Sequence, residues 1–533
     1  MNAALINKNR LECIAVIIFL AGCLIFRTRI DNIGIGYMFT CLAIYEAAWL
    51  FFGEKISEFL GRILRSKYSK DKYKSARLIW RYSNYMHLVT GGLVGLLIVT
   101  LGSYVVVDIF GLSHARYPVY IFGLIFFLRI ISENLGGYLC GRKFSGAVGF
   151  SAIIRQALIL VLGNIFASLL SGYGSRAAAL LKQDDFFAVY GCVGIALSAA
   201  FSEILIIVFL LIAKLSAKRR VTEYEDDYFK RNDPTGNVFL MIWRRRLPSV
   251  FNYLLIAFPF IFGVVYLYIK NQENNTPELI GLFAQTVFIP PVLFTMIGLF
   301  MVIMLVLKTV TFRKRNEMGR ARGAFQTGFH LCFIYGAFGC AYLIAEGEVL
   351  AKVFGSETVG PSQNLLVIGG FCALFMLVTF YMLKIIINEG FSIFAYIVQV
   401  PSDVVFAIIL SAMISKGKDL LIAFSIAYLV SLIIKFAGYL IIALVRLDMT
   451  VDPINNALVP ILVGAVVGVL NYFLSKAVSP HLGNLFTAIF VLFEMTALYV
   501  IMLLLSRNFR EYELEYLPGS RLIRSLGQTF HVL

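Results

Sequence analysis

The side chains in this sequence that could do chemistry are the few polar and charged ones that interrupt long apolar runs. Both signs of charge occur among them, and the set is Glu46, Arg129, Arg155, Gln156, Glu203, Asp403, Lys435 and Glu494. A charge inside an apolar segment is costly unless it is paired or hydrated, so each marks either an ion pair between helices or a water-filled pathway. The arginines and the lysine also suit phosphate binding, because their N–H groups donate hydrogen bonds to phosphate oxygens.

The elements that must hold these residues are apolar helices. Of the 533 residues, 59% are hydrophobic and 15% are charged, which exceeds the apolar content of soluble domains. One crossing of a bilayer needs about 20 mostly apolar residues. Runs of this kind occupy 11–26, 34–52, 85–110, 117–138, 144–170, 186–213, 248–269, 281–307, 327–345, 364–387, 391–414, 419–445, 454–475 and 484–506. The sequence therefore predicts an all-α, polytopic membrane protein with fourteen transmembrane helices.

Basic residues test this arrangement, because cytoplasmic loops of membrane proteins are enriched in lysine and arginine. Most of the 47 lysines and arginines fall in alternate connections, including those at 55–81, 214–246 and 308–322. This alternation predicts that both termini lie in the cytoplasm. It also accounts for the formal net charge of +16, so no nucleic-acid partner is expected.

A competing interpretation concerns the first apolar run. It ends in Leu20-Ala21-Gly22-Cys23, which is similar to a lipoprotein processing site. Cleavage before Cys23 would remove the first helix and place the basic loop 55–81 outside, against the charge alternation. Detection of a mature N-terminus at Cys23 by mass spectrometry would decide for this alternative.

An internal repeat is visible at an offset of about 245 residues. The matching pairs are Ile35-Gly36 with Ile280-Gly281, Ile44-Tyr45 with Ile289-Pro290, and Phe144-Ser145 with Phe391-Ser392. An even number of helices per repeat, six, gives both halves the same orientation, which is the parallel kind of repeat around a central pathway. The expected organisation is a six-helix lobe at 1–213, a cytoplasmic linker at 214–247, a second six-helix lobe at 248–446, two additional helices at 447–506 and a cytoplasmic amphipathic tail at 507–533.

This organisation suggests partners for four of the intramembrane charges. Arg155 and Glu203 fall within the first lobe, and Asp403 and Lys435 fall within the second. Each pair could therefore neutralise itself between neighbouring helices of one lobe. The alternative, that these charges line a cavity, stays open at this point.

Several function classes lack their signatures in this sequence. There is no phosphate-binding G-x-x-x-x-G-K-[ST] loop, no H-E-x-x-H helix and no G-x-S-x-G elbow, so no enzyme activity is expected. The eight cysteines lie almost entirely in apolar runs without a C-x-x-C pair, so they are interpreted as small hydrophobic residues. Neither a metal nor a cofactor is expected.

Four stretches carry a resemblance to a known family. They are Phe26-Arg27 followed by Ile33-Gly34-Ile35-Gly36-Tyr37; Gly137-Tyr138 with Gly141, Ile154 and Gln156; Leu247-Pro248-Ser249; and Leu517-Pro518-Gly519. With the helix layout, they resemble the multidrug/oligosaccharidyl-lipid/polysaccharide (MOP) exporter superfamily. The similarity is to its polysaccharide transporter branch, which is similar in turn to sporulation-type and lipid II flippases.

The sequence departs from this family at three places that bear on the substrate. The run from Ile14 to Phe26 carries no charge, whereas lipid II flippases carry arginines in the first helix. Arg155 precedes Gln156 where the branch often has an acidic residue. The first helix also lacks the aspartate that cation-coupled drug exporters of the superfamily use.

The resemblance implies an alternating-access flippase of the bacterial cytoplasmic membrane. Its cargo would be a lipid-linked oligosaccharide or an exopolysaccharide, its partners would be membrane lipids, and its energy could come from the membrane potential or a cation gradient. Helices 1, 2, 7 and 8 face the central cavity in this family. The candidate cavity or gate residues are therefore Arg27, Arg29, Glu46, Asn252, Gln285, Pro290 and Pro291. Arg27 and Arg29 have the alternative interpretation of an ordinary interfacial pair bridged to Asp31.

Two further functions stay open. The first is a non-transporting scaffold that holds a glycosyltransferase or polysaccharide synthase through the basic loops 55–81 and 308–322. The second is a cation-coupled multidrug exporter. The 55–81 loop is predicted to form an amphipathic surface segment whose Ile63, Leu64, Tyr68 and Ile79 face lipid. The acidic cluster Glu223, Glu225, Asp226 and Asp227 is predicted to be a solvated linker between the lobes.

Overall fold

The computed structural model describes residues 3–182, 185–219, 238–271, 276–353, 359–509, 511–516 and 520–529. These residues form helices and connections, with no strand among them. The helices are α1 (Ala3–Phe52), α2 (Ile56–Tyr68), α3 (Tyr73–Leu97), α4 (Arg116–Gly141), α5 (Ser145–Leu181), α6 (Phe186–Arg219), α7 (Val238–Lys270), α8 (Thr276–Phe283), α9 (Ile289–Lys314), α10 (Met318–Ala345), α11 (Gly347–Val353), α12 (Val359–Asn388), α13 (Ser392–Ser415), α14 (Leu420–Val445), α15 (Val459–Leu482), α16 (Asn484–Leu505) and α17 (Ser520–Thr529). The acidic cluster at 223–227 and the motif at 517–519 lie outside the described residues.

The predicted class of an all-α polytopic membrane protein is confirmed. Within the described residues, 13 helical stretches are long and apolar enough to cross a membrane. The first of them, Lys8–Tyr68, contains two of the crossings predicted from the sequence. The number of crossings, fourteen, stays a prediction.

α1 has a break where the sequence predicts a connection between two crossings. It has 50 residues, which at about 1.5 Å per residue is roughly 75 Å, more than twice the thickness of a hydrocarbon core. Asp31 interrupts the helix with φ 56° and ψ −176°. This backbone conformation is one that residues other than glycine rarely adopt.

The packing divides the chain into an N-terminal unit, Asn2–Gly281, and a C-terminal unit, Leu282–Leu533. The division falls inside α8, so α7 belongs to the N-terminal unit, where Phe260 meets Phe39 of α1 with ring centroids 5.9 Å apart. The lobe boundaries expected from the repeat stay a prediction.

Glycines set the helix spacing in the N-terminal unit. A Cβ on Gly174 of α5 would lie 2.5 Å from the carbonyl oxygen of Phe186, and one on Gly194 of α6 would lie 2.6 Å from the carbonyl of Phe166. Two backbones can approach this closely only where a side chain is absent, which is the usual way that helices associate in membranes. α5 and α6 therefore form a tight antiparallel pair that supports the polar residues described below.

The amphipathic segment at 55–81 packs against protein rather than lipid, so this part of the sequence analysis was wrong. Ile63 and Leu64 of α2 are buried, at 3% and 0% exposure, and belong to one core cluster with Ile79 and Tyr68. The cause is a groove on α4, where a Cβ on Gly141 would lie 2.7 Å from the Leu64 Cβ. An amphipathic pattern indicates only that one face of a helix is shielded from water. In this structure α4, rather than lipid, covers that face.

In the C-terminal unit, most residues of α10 are buried and α15 packs on it through small residues. A Cβ on Gly464 would lie 3.2 Å from the Ala337 carbonyl oxygen, and one on Gly468 would lie 3.3 Å from the Ala341 Cβ. Small residues four apart on both helices give a close crossing. Tyr499 of α16 adds hydrogen bonds to the backbone of both helices. The two additional helices are thus packed onto α10.

The segment after α16 docks onto α10 through a buried histidine. His330 Nδ1 lies 3.0 Å from Glu513 Oε2, and its Nε2 lies 2.6 Å from Asn508 Oδ1. Asn508 Nδ2 donates to the Asn455 carbonyl at 2.9 Å, so its Oδ1 is the acceptor towards His330. Both ring nitrogens therefore face side-chain oxygens of the segment after α16.

Candidate functional site

The buried polar centre of the N-terminal unit is an ion pair between α5 and α6. Arg155 forms a salt bridge with Glu203, with 2.6 Å between Nε and Oε1, as the pairing hypothesis anticipated. Ser132 of α4 joins them, since its Oγ donates to Glu203 Oε2 at 3.2 Å and accepts from Arg155 Nη2 at 3.3 Å. All three residues are almost fully buried. A buried pair with added hydrogen bonds is neutral overall, so it joins three helices and offers no free charge.

Arg129 lies one turn before Ser132 on α4 and is placed differently. Its guanidinium lies over the ring of Trp49 of α1, 4.7 Å from the ring centroid. Among the described residues it forms no salt bridge, and its Nε is buried without a hydrogen-bond partner. Glu46 and Glu203 act on it electrostatically from a longer distance. Arg129 therefore keeps donors that no described side chain satisfies.

Glu46 lies on α1, three residues before Trp49, and interacts with Arg129 through charge without touching it by a hydrogen bond or salt bridge. It is half-buried and, in the part of the chain that is described, has neither a hydrogen bond nor a salt bridge. The adjacent Tyr45 stacks on Trp49, with ring centroids 6.1 Å apart and an angle of 3° between the planes. We call Glu46, Trp49 and Arg129 the Glu46–Arg129 site. It combines a guanidinium, held on an indole ring, with a carboxyl group, and these are groups suited to a phosphate and a sugar hydroxyl.

The C-terminal unit contains the second anticipated ion pair. Lys435 Nζ of α14 donates to Asp403 Oδ1 of α13 at 2.7 Å, and each side chain is 5% exposed. Asp403 Oδ2 is buried without a hydrogen-bond partner among the described residues. The pair lies between two helices that are consecutive in the chain, so it neutralises both charges locally.

The two remaining intramembrane residues belong to neither pair. Glu494 of α16 is half-buried and interacts with Asn471 of α15. Gln156 follows Arg155 but is half-buried, and its Oε1 has no hydrogen-bond partner within the described ranges. Neither residue is part of the Glu46–Arg129 site.

Arg27 and Arg29 lie just before the break in α1. Arg27 is half-buried, donates from Nε to Asn32 Oδ1 at 3.0 Å and feels the charge of Asp31. Arg29 is exposed. Arg27 therefore links the residues on the two sides of the break through a hydrogen bond, whereas Arg29 is exposed.

Gln285, Pro290 and Pro291 lie together at the start of α9 in the C-terminal unit. Gln285 belongs to a wide turn, Ala284–Phe288, that precedes the prolines. It is fully buried, and neither polar atom of its amide has a hydrogen-bond partner in the described chain. The prolines have no N–H group, so carbonyl groups of this turn lack their usual helical hydrogen-bond donors. Gly369 packs closely against the turn, since a Cβ on it would lie 2.7 Å from the backbone carbonyl oxygen of Thr286. Asn252 is fully buried on α7, in the other unit.

Glu346 is a buried carboxyl that the sequence analysis treated as one of several scattered acids. It follows the span that ends at Ala345 and is 0% exposed. Its Oε2 accepts a hydrogen bond from Ser475 Oγ at 3.0 Å, while Oε1 is buried without a partner among the described residues. Burial raises the pKa of Glu346 to about 7, and the Ser475 hydroxyl opposes part of that shift. No sequence signal links these two residues, which are far apart in the chain.

These helices and their buried charges define a polytopic α-helical membrane protein, and solved structures identify the fold. Twenty-one chains match. An inward-facing multidrug resistance MATE family transporter of the MOP superfamily is 14% identical, with a TM-score of 0.57, over 84% of this chain and 97% of its own. The lipid II flippase MurJ, in an inward closed conformation, is 12% identical, with a TM-score of 0.57, over 89% and 97%. A MOP superfamily transporter from Pyrococcus furiosus is 15% identical, with a TM-score of 0.54, over 83% and 95%.

The chain therefore has the fold of MOP superfamily proteins, and the resemblance drawn from the sequence is confirmed at the level of the fold. The matched structures named above are two transporters and a flippase. No family model and no curated protein matches the sequence.

Proposed function

We propose that this chain is a flippase of the bacterial cytoplasmic membrane that moves a lipid-linked saccharide. The observation that carries the proposal is the Glu46–Arg129 site, in a fold shared with a lipid II flippase. Arg129 forms no salt bridge among the described residues and has donors free for phosphate oxygens, whereas Arg155 is paired with Glu203. A saccharide attached to a lipid through a diphosphate presents these two chemistries, phosphate and sugar, side by side.

Each residue of the site has a distinct task in this proposal. Arg129 binds the diphosphate through charge-assisted hydrogen bonds. Trp49 stacks beneath the guanidinium and holds it in place. Glu46 accepts a hydrogen bond from a sugar hydroxyl. The Arg155–Glu203 pair and Ser132 keep α4 in register, because Ser132 and Arg129 lie one turn apart on that helix.

Transport proceeds by alternating access of the two predicted lobes, with the lipid tail remaining in the bilayer. The headgroup exchanges water for the polar groups of the site and leaves on the opposite side. We propose that the membrane potential or a cation gradient supplies the energy for transport.

The experiment measures the sidedness of a lipid-linked oligosaccharide in proteoliposomes that contain the parent protein or Arg129→Gln. A charge-assisted hydrogen bond is worth about 1.5–3 kcal/mol, so Arg129→Gln is expected to slow flipping by roughly tenfold to a hundredfold. Arg176→Gln is the matched control, because Arg176 is exposed and lies outside the site. Unchanged sidedness with the intact parent protein would overturn the flippase proposal.

A second candidate, a multidrug exporter, is favoured by the MATE family transporter that matches with the same TM-score as the flippase. Glu46 and Trp49 would then bind an organic cation through charge and ring stacking. The same proteoliposomes distinguish the two functions, since an exporter moves a cationic dye and leaves the oligosaccharide in place. Arg129→Gln would then leave dye transport intact or increase it.

A further inference from the structure

Basic side chains from different parts of the chain surround the end of α4 in the N-terminal unit. Arg65 of α2 donates from Nη2 to the carbonyl oxygen of Cys140 at 2.8 Å. Arg142, the residue that follows α4, lies with its Cζ 5.4 Å from the ring centroid of Tyr138. Lys214 of α6 approaches the same ring, with its Nζ 5.6 Å from the centroid. Positive charges from α2, α4 and α6 therefore gather at one helix end.

Aromatic rings hold two of these cations. Lys214 Nζ lies 4.0 Å from the ring centroid of Trp80 of α3. Arg142 Cζ lies 4.7 Å from the ring centroid of Tyr68 of α2. The Trp80 ring also meets the Tyr138 ring, with centroids 5.1 Å apart. The face of an aromatic ring attracts a cation and fixes its position, but it does not neutralise the charge. We call this set the basic–aromatic cluster; its members are Arg65, Tyr68, Trp80, Tyr138, Arg142 and Lys214.

Two hydrogen-bond donors of the cluster have no acceptor in the described part of the chain. They are Nε of Arg65 and the indole Nε1 of Trp80, and both atoms are buried. Buried polar groups in native proteins are nearly always satisfied, by protein, by ordered water or by a bound ion. Because both of these groups are donors, the partner that they need is an acceptor. A phosphate group supplies several acceptor oxygens together with a negative charge.

The acidic residues beside α2 pair with other cations. Glu58 forms salt bridges with Lys55 and with Arg62, and Glu54 forms one with Lys55. These pairs lie before and within the first half of α2. The end of α2 that belongs to the cluster has the sequence Arg65-Ser66-Lys67-Tyr68 and carries basic residues only. The carboxylates of this region therefore act at the other end of the helix.

The cluster has the composition and exposure of a site at a membrane surface. The charge alternation along the chain predicts that this end of α4 faces the cytoplasm. Aromatic residues are enriched where the membrane meets water, at the level of the lipid headgroups, and lysine and arginine are enriched on the cytoplasmic side. Apart from the buried Tyr138, every member of the cluster is half-buried, so a ligand can reach the cations from the surface.

We propose that the basic–aromatic cluster binds a phosphate group, carried by the headgroup of an anionic membrane lipid or by a soluble phosphate compound. Arg142 and Lys214 supply the charge, while Arg65 Nε and Trp80 Nε1 donate to the phosphate oxygens. The site is separate from the one proposed for the cargo, since Tyr138 lies about 14 Å further along α4 than Arg129. A bound phosphate joins the ends of α2, α4 and α6 to α3 and so stabilises this end of the N-terminal unit.

The test measures the Tm of the full-length protein in neutral detergent during titration with phosphatidylglycerol, phosphatidylcholine or inorganic phosphate at constant ionic strength. A ligand that binds only the folded state raises the Tm. Phosphatidylglycerol is expected to act at lower concentration than phosphatidylcholine, whose headgroup carries its own cation. A rise with phosphatidylglycerol but not with inorganic phosphate identifies a lipid as the source, and a rise with inorganic phosphate identifies a soluble compound. No rise with either, or equal rises with the two lipids and none with inorganic phosphate, would overturn the proposal.

Variants assign the binding to the cluster. Arg142→Gln is expected to raise the ligand concentration at half of the Tm shift by roughly tenfold or more, because a charge-assisted hydrogen bond is lost. Lys143→Gln is the matched control, since Lys143 is adjacent, exposed and of the same charge, and it is expected to leave this concentration unchanged.

A conservative variant keeps the test decisive if Arg142→Gln does not fold. Trp80→Phe keeps an aromatic ring beside Lys214 and removes the indole N–H, so binding is expected to weaken roughly threefold or more. Equal titrations of Arg142→Gln and Lys143→Gln, or of Trp80→Phe and the parent, would each overturn the site. The measurement needs neither cargo nor transport, so its outcome is independent of the proposed function.

Discussion

Arg129 and Arg155 belong to neighbouring helices of one unit, yet their surroundings give them different tasks. Arg155 is paired with Glu203 and donates a hydrogen bond to Ser132, whereas Arg129 rests on an indole ring and forms no salt bridge among the described residues. A buried ion pair is neutral and stabilises a helix bundle, while an arginine without an ionic partner is available to a ligand. This difference directs the proposed substrate contact to α4 and α1.

Glu346 gives a prediction at the same scale. Its pKa is raised from 4.5 to about 7, so the folded protein binds this proton more tightly than the unfolded chain does. The stability that it contributes is fully present below about pH 4.5 and is lost as the pH rises to about 7. We expect the difference in Tm between Glu346→Gln and the parent to shift in favour of Glu346→Gln as the pH rises from about 4.5 to about 7, and to stay constant at higher pH.

The measurement is the Tm of purified protein in detergent as a function of pH. Ser475→Ala is the companion variant, because loss of the hydroxyl donor removes the stabilisation of the carboxylate and should extend the interval to higher pH. A difference in Tm between Glu346→Gln and the parent that does not vary with pH would contradict the prediction.

At the scale of elements, glycines determine which helices can touch. α2 reaches α4 only because Gly141 and Gly61 leave room for Leu64 and Cys140. α15 reaches α10 through Gly464 and Gly468 in the same manner. Without a hydrophobic driving force between helices in lipid, such close van der Waals contact is what holds them together.

The α2–α4 contact can be tested with one methyl group. In Gly141→Ala the new Cβ would lie 2.7 Å from the Leu64 Cβ, so one helix must shift, at a cost of about 1–3 kcal/mol. We expect a lower Tm and a lower membrane abundance. Gly146→Ala on the adjacent α5 is the control, since a Cβ there would meet nothing within 4 Å. Equal Tm values for the two variants would show that α2 adjusts freely.

At the scale of the whole molecule, the chain after α16 is part of the C-terminal unit. His330 holds Asn508 and Glu513, and all three residues are almost fully buried. Lys308 of α9 adds a contact with Tyr516, whose ring centroid lies 4.7 Å from its Nζ. These contacts position α17, which carries exposed Arg521 and Arg524.

The histidine contact leads to a prediction about this docking. His330→Ala removes the side chain that faces a fully buried carboxyl group and the Asn508 amide, and leaving a buried polar group without its partner costs about 1–3 kcal/mol. We expect a large fall in Tm and faster proteolysis of the tail. Glu513→Ala combined with His330→Ala should recover part of the loss, because it removes the carboxylate as well. Strictly additive losses in this double-mutant cycle would contradict a direct contribution of the His330–Glu513 contact to stability.

Parts of this structure follow from the sequence alone. Apolar run length predicts the all-α membrane class, because each crossing must satisfy its backbone hydrogen bonds internally. The need to neutralise charge in lipid predicts the pairs Arg155–Glu203 and Asp403–Lys435. The repeat identifies Gly36 and Gly281 as equivalent.

Tertiary packing decided the rest. The sequence pattern that places Ile63 and Leu64 on one apolar face is the same whether lipid or α4 covers that face, because the pattern shows only that the face avoids water. The position of Arg129 over Trp49, the hydrogen bond between Glu346 and Ser475, and the contact of Gly36 with Pro277 join residues distant in the chain. Local periodicity carries no information about such distances, because they depend on how whole helices pack against one another.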